Sequence, residues 1–588
     1  MKKIVNLSLA LVALFVMAAC GGPKSFGKMD AGFNGNGASA VSYSCTPEIL
    51  TLNNGVVAAD ITVNYPASFF NSMVIVKITP VIVYEGGEVA AAPFYFQGSD
   101  VEDNYTVVSE AGGSFTESVE FAYADDMQLS DLQLRIELRN AKKAENAFYT
   151  INANSGLMLS DDQDSLLGSD SAAATELRAS CGVVVAKGIN TLQRDFAFAA
   201  LMDEMANDYK AVTYDVSKAN VNYSISSSRV NKSSLTEAQM VAFKEVIEAN
   251  KDNASVTQSI SANGYASPDG PEKFNDKLST ARSASAKKAM DKFFAEMGLE
   301  ADVAAYGEDW DGFKELVAAS SIQDKNLILQ VLSLYDSSVQ REAEIKNLSS
   351  VYTELKSDIL PELRRTQLVN NISIQGMSDE QMMELVAAKN YAELTLEEML
   401  YLADSVIEAN ADKKDILEYA AKKYSDARAY NNMGIVLAKM GDAEASLEAF
   451  EMATRNGASD ATINKNLLLS NLDNNNYAEA KKYTGDTESS YALVAVEGNY
   501  TPAAQNLKGY NAAIANIMSN NYAAAKAAIA DCKCPRGTYL LGVIASAEGE
   551  VEAGIAYIKA AVAEAPELAA KAQKDVNLAN LFEGGLEL

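Results

Sequence analysis

Three patterns of apolar and polar positions follow one another along this chain. From residue 41 to about 155 the pattern alternates. Ile61, Val63 and Tyr65 are interleaved with Asp60, Thr62 and Asn64, the period of two that belongs to a half-buried strand. Met73 to Tyr84 is rich in β-branched residues but holds Pro80, which predicts two short strands or a bend. Phe94 to Phe96, Phe115 to Phe121 and Leu132 to Leu138 continue the series, with Gly86-Gly87 and Gly112-Gly113 as turns. Several short strands at regular spacing predict a β-sandwich over 41–155. Residues 156–184 are acidic and rich in Ser and Ala, and read as a linker.

From 185 to 377 strands and helices alternate. Asn220 to Ile225 is a strand candidate. Ser234, with Glu237 three residues on, predicts a capping box opening a helix through Asn250. Val256 to Ser261 alternates, Gly264 to Pro271 is dense in turn formers, and Asn275 to Met290 is breaker-free and helical. Ala301 to Gly307 reads as a strand, Asp311 to Val317 as the start of a helix, and Gln367 to Ile374 as a last strand. From 378 to 588 the β signals vanish and Ala, Leu, Lys and Glu dominate, which means helices. The fold class is therefore multidomain α+β, with a flexible tether over 20–40 and three modules after it.

Composition narrows the chemistry. The net charge of −30 argues against nucleic acid as a partner. There is no histidine, which removes Ser-His-Asp triads, Cys-His pairs and His-containing zinc sites. A hydrolase would need paired carboxylates or a Ser-Lys arrangement, and Asp269 and Glu272 are merely neighbours on one loop. No catalytic residue, metal site or cofactor is read from the sequence, and the chain is expected not to be an enzyme. Cys45, Cys181, Cys532 and Cys534 are expected as buried or free thiols, or as one structural bridge. A bridge between Cys532 and Cys534, only two residues apart, would be strained.

The N-terminus reads as a targeting segment. Lys2 and Lys3 precede an apolar run from Ile4 to Val16, too short to span a bilayer, and Ala18-Ala19 lead into Cys20. This resembles a bacterial lipoprotein signal over 1–19, which implies acylation of Cys20 and an outer-membrane lipid anchor. No acidic residue stands between Cys20 and Asp30, which by the same resemblance favours a periplasm-facing anchor.

The loop and helix from Gly264 to Arg282 are the centre of the chain. Asn275, Leu278 and Arg282 share one helical face, and a helix start with a guanidinium nearby suits a small anionic group. Gly264, Tyr265, Asn275, Leu278, Ser279 and Arg282 also match the pattern of the peptidoglycan-binding OmpA-like family, which the stretch 185–377 resembles. The resemblance implies an α/β sandwich whose Asp and Arg hold the diaminopimelate group of the wall peptide. By that resemblance Arg282 would bind its carboxylate, with Asn275 and Gly264 in the site. Ser267 stands where the family has its Asp, and Asp269 is the nearby acid able to replace it.

The C-terminal helices resemble a tetratricopeptide solenoid. Tyr430, Met433, Gly434, Leu437, Gly441, Phe450 and Ala453 carry one repeat, and Thr538, Leu541, Gly542, Ala545, Gly549, Ile558, Ala561 and Pro566 another. Degenerate copies fall at Leu467 with Ala480 and at Ala513 with Ile517. Such arrays present a concave groove to a protein partner. The whole resembles OmpA-family lipoproteins of the Bacteroidota. It implies a scaffold bridging outer membrane and peptidoglycan or, without wall binding, an accessory subunit of a secretion, fimbrial or outer-membrane assembly machine.

Overall fold

The computed structural model describes residues 41–141, 148–152, 157–159, 161–167, 169, 171–322, 324–347 and 349–588. The stretches read as a signal segment and a tether, with Cys20, lie outside them. The chain is mixed, β-rich at its N-terminal end and all-helical at its C-terminal end, and it divides into two units. One joins the chain up to Ala206 with Ile407–Leu588; the other is Asn207–Val406.

In the first unit, two sheets contribute to one core. Strand Val56–Tyr65 is flanked by Ser42–Thr46 and Gly113–Ala122 in the five-stranded sheet. Strand Val74–Tyr84 pairs with Ser130–Asn140 along its whole length in the eight-stranded sheet. Val57, Ile61, Val63, Ile78, Phe96, Leu134 and Ile136 fill the space, the inward members of each alternation. Contrary to the two short strands or bend expected from the sequence, Pro80 does not break its strand. On its far edge the partner changes there, from Phe94–Gly98, which ends opposite Ile78, to Gly87–Ala90, which begins opposite Val81. A residue without an N–H fits at that change of partner.

The boundary expected near 185 also moves. Strand Val183–Lys187 pairs antiparallel with Ser130–Asn140 and completes the N-terminal sheet. The stretch read as a linker holds helix Ala172–Cys181, capped by the Ser171 hydroxyl on the Ala174 N–H. Periodicity could not place Val183–Lys187, because so short a run, four apolar residues and a lysine, carries no sign of which sheet it joins.

The C-terminal part of this unit runs from Asn410–Tyr424 to Ala579–Glu583 as short helices packed on their sequence neighbours. Asp426, Asp442, Asp460 and Asp486 each cap a helix of this series through N–H groups, so part of the acidic surplus sits on helix N-termini. A Cβ at Gly434 would stand 2.8 Å from the Phe450 ring, and one at Gly542 would stand 2.5 Å from Ile558. Helix Ala427–Lys439 therefore approaches Ala443–Arg455 as closely as backbone allows. The described Cys532 and Cys534 are bridged, with Cα atoms 5.4 Å apart, at the spacing the sequence argued against. Cys45 and Cys181 are buried and lie outside that bridge.

The second unit is built on a four-stranded mixed sheet in the order Val212–Asn222, Arg365–Gln375, Val256–Ala266, Ala301–Glu308. Helices Ala238–Ala249 and Glu272–Glu296 cover one face, and Met240, Phe243, Ile260, Ala286, Met290, Phe294 and Leu368 form the core between them. The first of these helices starts later than the capping-box signal implies. Ser234 is buried in a 3-10 turn, Lys232–Leu235, and Glu237 is itself the N-cap. An inserted helical stretch, from Lys325–Leu334 to Ser349–Glu354, has its own core around Phe313, Ile328, Leu355 and Leu363. Helices Asp379–Ala387 and Leu396–Tyr401, assigned from sequence to the C-terminal module, belong to this unit.

Candidate functional site

Strand Val256–Ala266 passes through the loop 267–271 into helix Glu272–Glu296. Gly264 is required where strand and helix converge. A Cβ there would lie 2.1 Å from the Ser279 carbonyl oxygen and 2.9 Å from the Ser283 nitrogen, both backbone atoms that cannot step aside. Its place is thus one of close packing beneath the loop.

Asn275 is the loop's internal tie. Its Nδ2 donates to the Ser267 carbonyl and the Gly270 carbonyl, both at 3.3 Å, and to Glu308 Oε1 at 2.8 Å. Glu308 also accepts from Trp310 Nε1 at 3.1 Å and from the Ser338 hydroxyl. The single tryptophan is therefore fixed beside the loop, edge-on to Phe313.

Arg282 is 1% exposed. Its NH1 donates to the Tyr265 carbonyl at 2.8 Å and its Nε to the Ser227 carbonyl at 3.0 Å; NH2 reaches the Ser224 carbonyl at 3.5 Å. The guanidinium lies over the Tyr223 ring, 5.2 Å from its centroid. Burial draws its pKa down to about 10, against a smaller upward pull from Tyr223, so it is charged at neutral pH. It sits in the third turn of its helix, and its fork is engaged by backbone carbonyls.

A different arginine faces the loop. Arg364 NH2 reaches Asp269 Oδ2 at 3.4 Å and its Nε reaches the Ser267 hydroxyl at 3.3 Å. Ser267 Oγ donates to Asp269 Oδ1 at 2.6 Å. The side chains of Arg364 and Asp269 are 11% and 16% exposed, so the pair is shielded yet reachable. Ser267 thus orients Asp269. Next to them, Arg365 pairs with Asp309 at 2.9 Å and lies over Tyr265, which stacks on the exposed Tyr306. Burial raises the Asp309 pKa, and the Arg365 charge opposes that rise.

The structure brings Gly264, Ser267, Asp269, Asn275 and Arg282 into one small region. Sequence reasoning missed Arg364 and Glu308. The signal for Arg364 was the basic pair before the last strand. Register decides where it goes: Gly264 stands opposite Thr366, which carries residues 364 and 365 to the loop end of the central strand.

Among the described residues no His, Cys, Asp and Glu cluster suits a metal ion, and no helix is long and apolar enough to cross a membrane. No protein-family model and no curated protein matches the chain. Among solved structures it is similar to Salmonella alpha-2-macroglobulin reacted with methylamine, at 10% identity and a TM-score of 0.13, over 82% of this chain and 27% of that one. It is similar to native E. coli alpha-2-macroglobulin at 10% identity and a TM-score of 0.11, over 83% and 26%. The chain spans about a quarter of those chains' length, and a likeness at such scores carries no argument about fold or activity.

Proposed function

We propose that this chain is a non-enzymatic, lipid-anchored outer-membrane scaffold. In this reading its OmpA-like domain holds a peptidoglycan peptide, and its tetratricopeptide-like helices dock a protein of the envelope. The observation that carries the wall-binding part is the Asp269–Arg364 pair beside Ser267. A diaminopimelate group carries an ammonium and a carboxylate together. Asp269 supplies an acceptor for the first and the planar fork of Arg364 a match for the second. The 3.4 Å separation of the pair is long for a closed ion pair, so a zwitterion entering between the two groups gives up little. Arg282 has a positioning role in this reading. By holding the Tyr265 carbonyl it fixes the strand end from which Ser267 and Asp269 project.

The test is co-sedimentation of the full-length chain in detergent with purified peptidoglycan. Arg364→Ala and Asp269→Asn each lower binding at least about tenfold, the loss of one charge-assisted contact. Wild-type protein that stays wholly in solution overturns the wall-binding part. The second reading, an accessory subunit of a secretion, fimbrial or assembly machine without wall binding, is favoured by the burial of Arg282. It expects deletion of 407–588 to abolish co-purification with outer-membrane proteins, while Arg364→Ala changes nothing.

A further inference from the structure

One face of the C-terminal helices is already covered by the chain itself. Residues 192–206, two 3-10 turns followed by extended backbone, lie along it. Leu192, Phe196, Phe198 and Met202 are buried in the same cluster as Ile435, Phe450, Leu467 and Ile514. The main chain of this strap is held by asparagine side chains. Asn432 accepts from the Met205 N–H at 2.8 Å and donates to the Met205 carbonyl at 2.9 Å. Asn466 does the same for Asp203, at 2.9 and 2.8 Å. Asn511 grips Ala197 at 2.8 and 3.3 Å. Asn432 and Asn466 stand 34 residues apart, the length of one tetratricopeptide repeat. Lysines meet the strap's acids: Lys465 with Asp203 at 2.8 Å, Lys439 with Glu204 at 3.4 Å, and Lys571 with Asp195.

A paired N–H and C=O on one residue, gripped by one amide side chain, is a contact with peptide backbone and is blind to that residue's side chain. Three such grips along one face, with apolar sockets between them and lysines at the margin, form a reader of extended peptide. We infer that this groove is a binding site for a peptide segment rich in apolar residues, with acidic residues near its two ends, as in the strap itself. The strap 192–206 is its tethered occupant and must be released before such a peptide binds in trans. Short tethers give an effective concentration of about a millimolar. A peptide of equal intrinsic affinity, offered at micromolar concentration, therefore meets a groove that is closed to it. The inference rests on the reading of these helices as a protein-docking module, and it names both the partner chemistry and the gate.

The experiment uses the full-length chain in detergent and a fluorescent peptide with the sequence of residues 190–208, followed by anisotropy. Wild type is compared with a strap variant, Phe196→Ala with Phe198→Ala. The strap variant is expected to bind at least about 100-fold more tightly than wild type, and adding Asn432→Ala and Asn466→Ala is expected to remove that gain. A strap variant with wild-type helical circular dichroism and no gain overturns the inference. If the variant fails to fold, hydrogen exchange on the unaltered chain decides. The amides of Ala197, Asp203 and Met205 should exchange together, through one common opening, at least about tenfold faster than those of Leu467 and Leu468; protection equal to the helices overturns it. Co-purification of outer-membrane proteins with 407–588 is scored separately. If it persists while peptide exchange fails, only the tethered-occupant inference falls.

Discussion

Replacing Arg282 by Ala separates a structural role from a ligand-binding one. Two of its three contacts are short enough to count, those to the Tyr265 and Ser227 carbonyls at 2.8 and 3.0 Å; the third, at 3.5 Å, is marginal. Charge-assisted bonds contribute about 1.5–3 kcal/mol each, and carbonyls left buried without a donor cost about 1–3 kcal/mol. Part of this is returned, because the variant no longer buries a charge. The expected net loss is about 3–5 kcal/mol in the unit Asn207–Val406. Trp310 is the single tryptophan of the chain and lies in that unit, so its fluorescence in a urea titration reports that unit alone. With a slope of about 2–3 kcal/mol per M, the midpoint should fall by about 1–2 M. Arg282→Lys, which keeps the charge and loses the fork, should recover less than half of that. Arg364→Ala should move the midpoint by under about 0.5 M, since its contacts to Ser267 and Asp269 are long, at 3.3 and 3.4 Å. A midpoint that moves less than about 0.3 M in Arg282→Ala would refute the reasoning and return this residue to the list of free ligand-binding groups.

Other outcomes follow from the same geometry. Gly264→Ala places a methyl against the Ser279 carbonyl and should cost about 3 kcal/mol or more, read by the same Trp310 titration. Gly434→Ala presses on the Phe450 ring, which can shift a little; about 1–3 kcal/mol should be lost from the helical unit, measured by thermal circular dichroism. The pair Lys465 with Asp486 sets a pH window. Burial pulls the Lys465 pKa down, but hydrogen bonds to Asp203 and Asp486 outweigh it, and the net shift is upward. Its contribution is present below the unfolded value of about 10.4 and is lost as pH rises through the higher folded value. Burial pushes Asp486 up, yet its bonds to Lys465 and Ser489 leave it lowered. Its contribution is present above about 3.9 and is lost as pH falls through the lower folded value. The melting temperature difference between wild type and Lys465→Gln should therefore be flat from about pH 5 to 9 and shrink at both ends; a difference independent of pH would sink this account. Cys45 is buried, its pKa pushed up to about 11 by burial and Asp60. It should resist alkylation at neutral pH until denaturant is added, while Cys532 and Cys534 should label only after reduction, as counted by mass spectrometry.

Local pattern by itself determined much of this protein. Alternation at Asp60–Tyr65, the turn formers at 264–271 and the breaker-free run after Asn275 name their elements because strand and helix periods depend on near neighbours. The small-residue positions Gly434 and Gly542 likewise show in sequence where helices meet. Composition excluded histidine chemistry outright. What the sequence left open was every choice between distant partners. The run Val183–Lys187 joins the N-terminal sheet because a free edge lies beside Ser130–Asn140. Pro80 survives in a long strand because two different neighbours meet across from it. Arg282 looked like a ligand-binding residue because a helical spacing cannot say whether a guanidinium faces solvent or the carbonyls of Ser227 and Tyr265. Arg364 reaches Asp269 through strand register, which is set 95 residues away in sequence. The asparagines at 432, 466 and 511 are ordinary polar helix residues until residues 192–206 are laid across them. Tertiary structure decided these matters because each depends on which groups desolvate together, and desolvation acts between neighbours in space, whatever their separation along the chain.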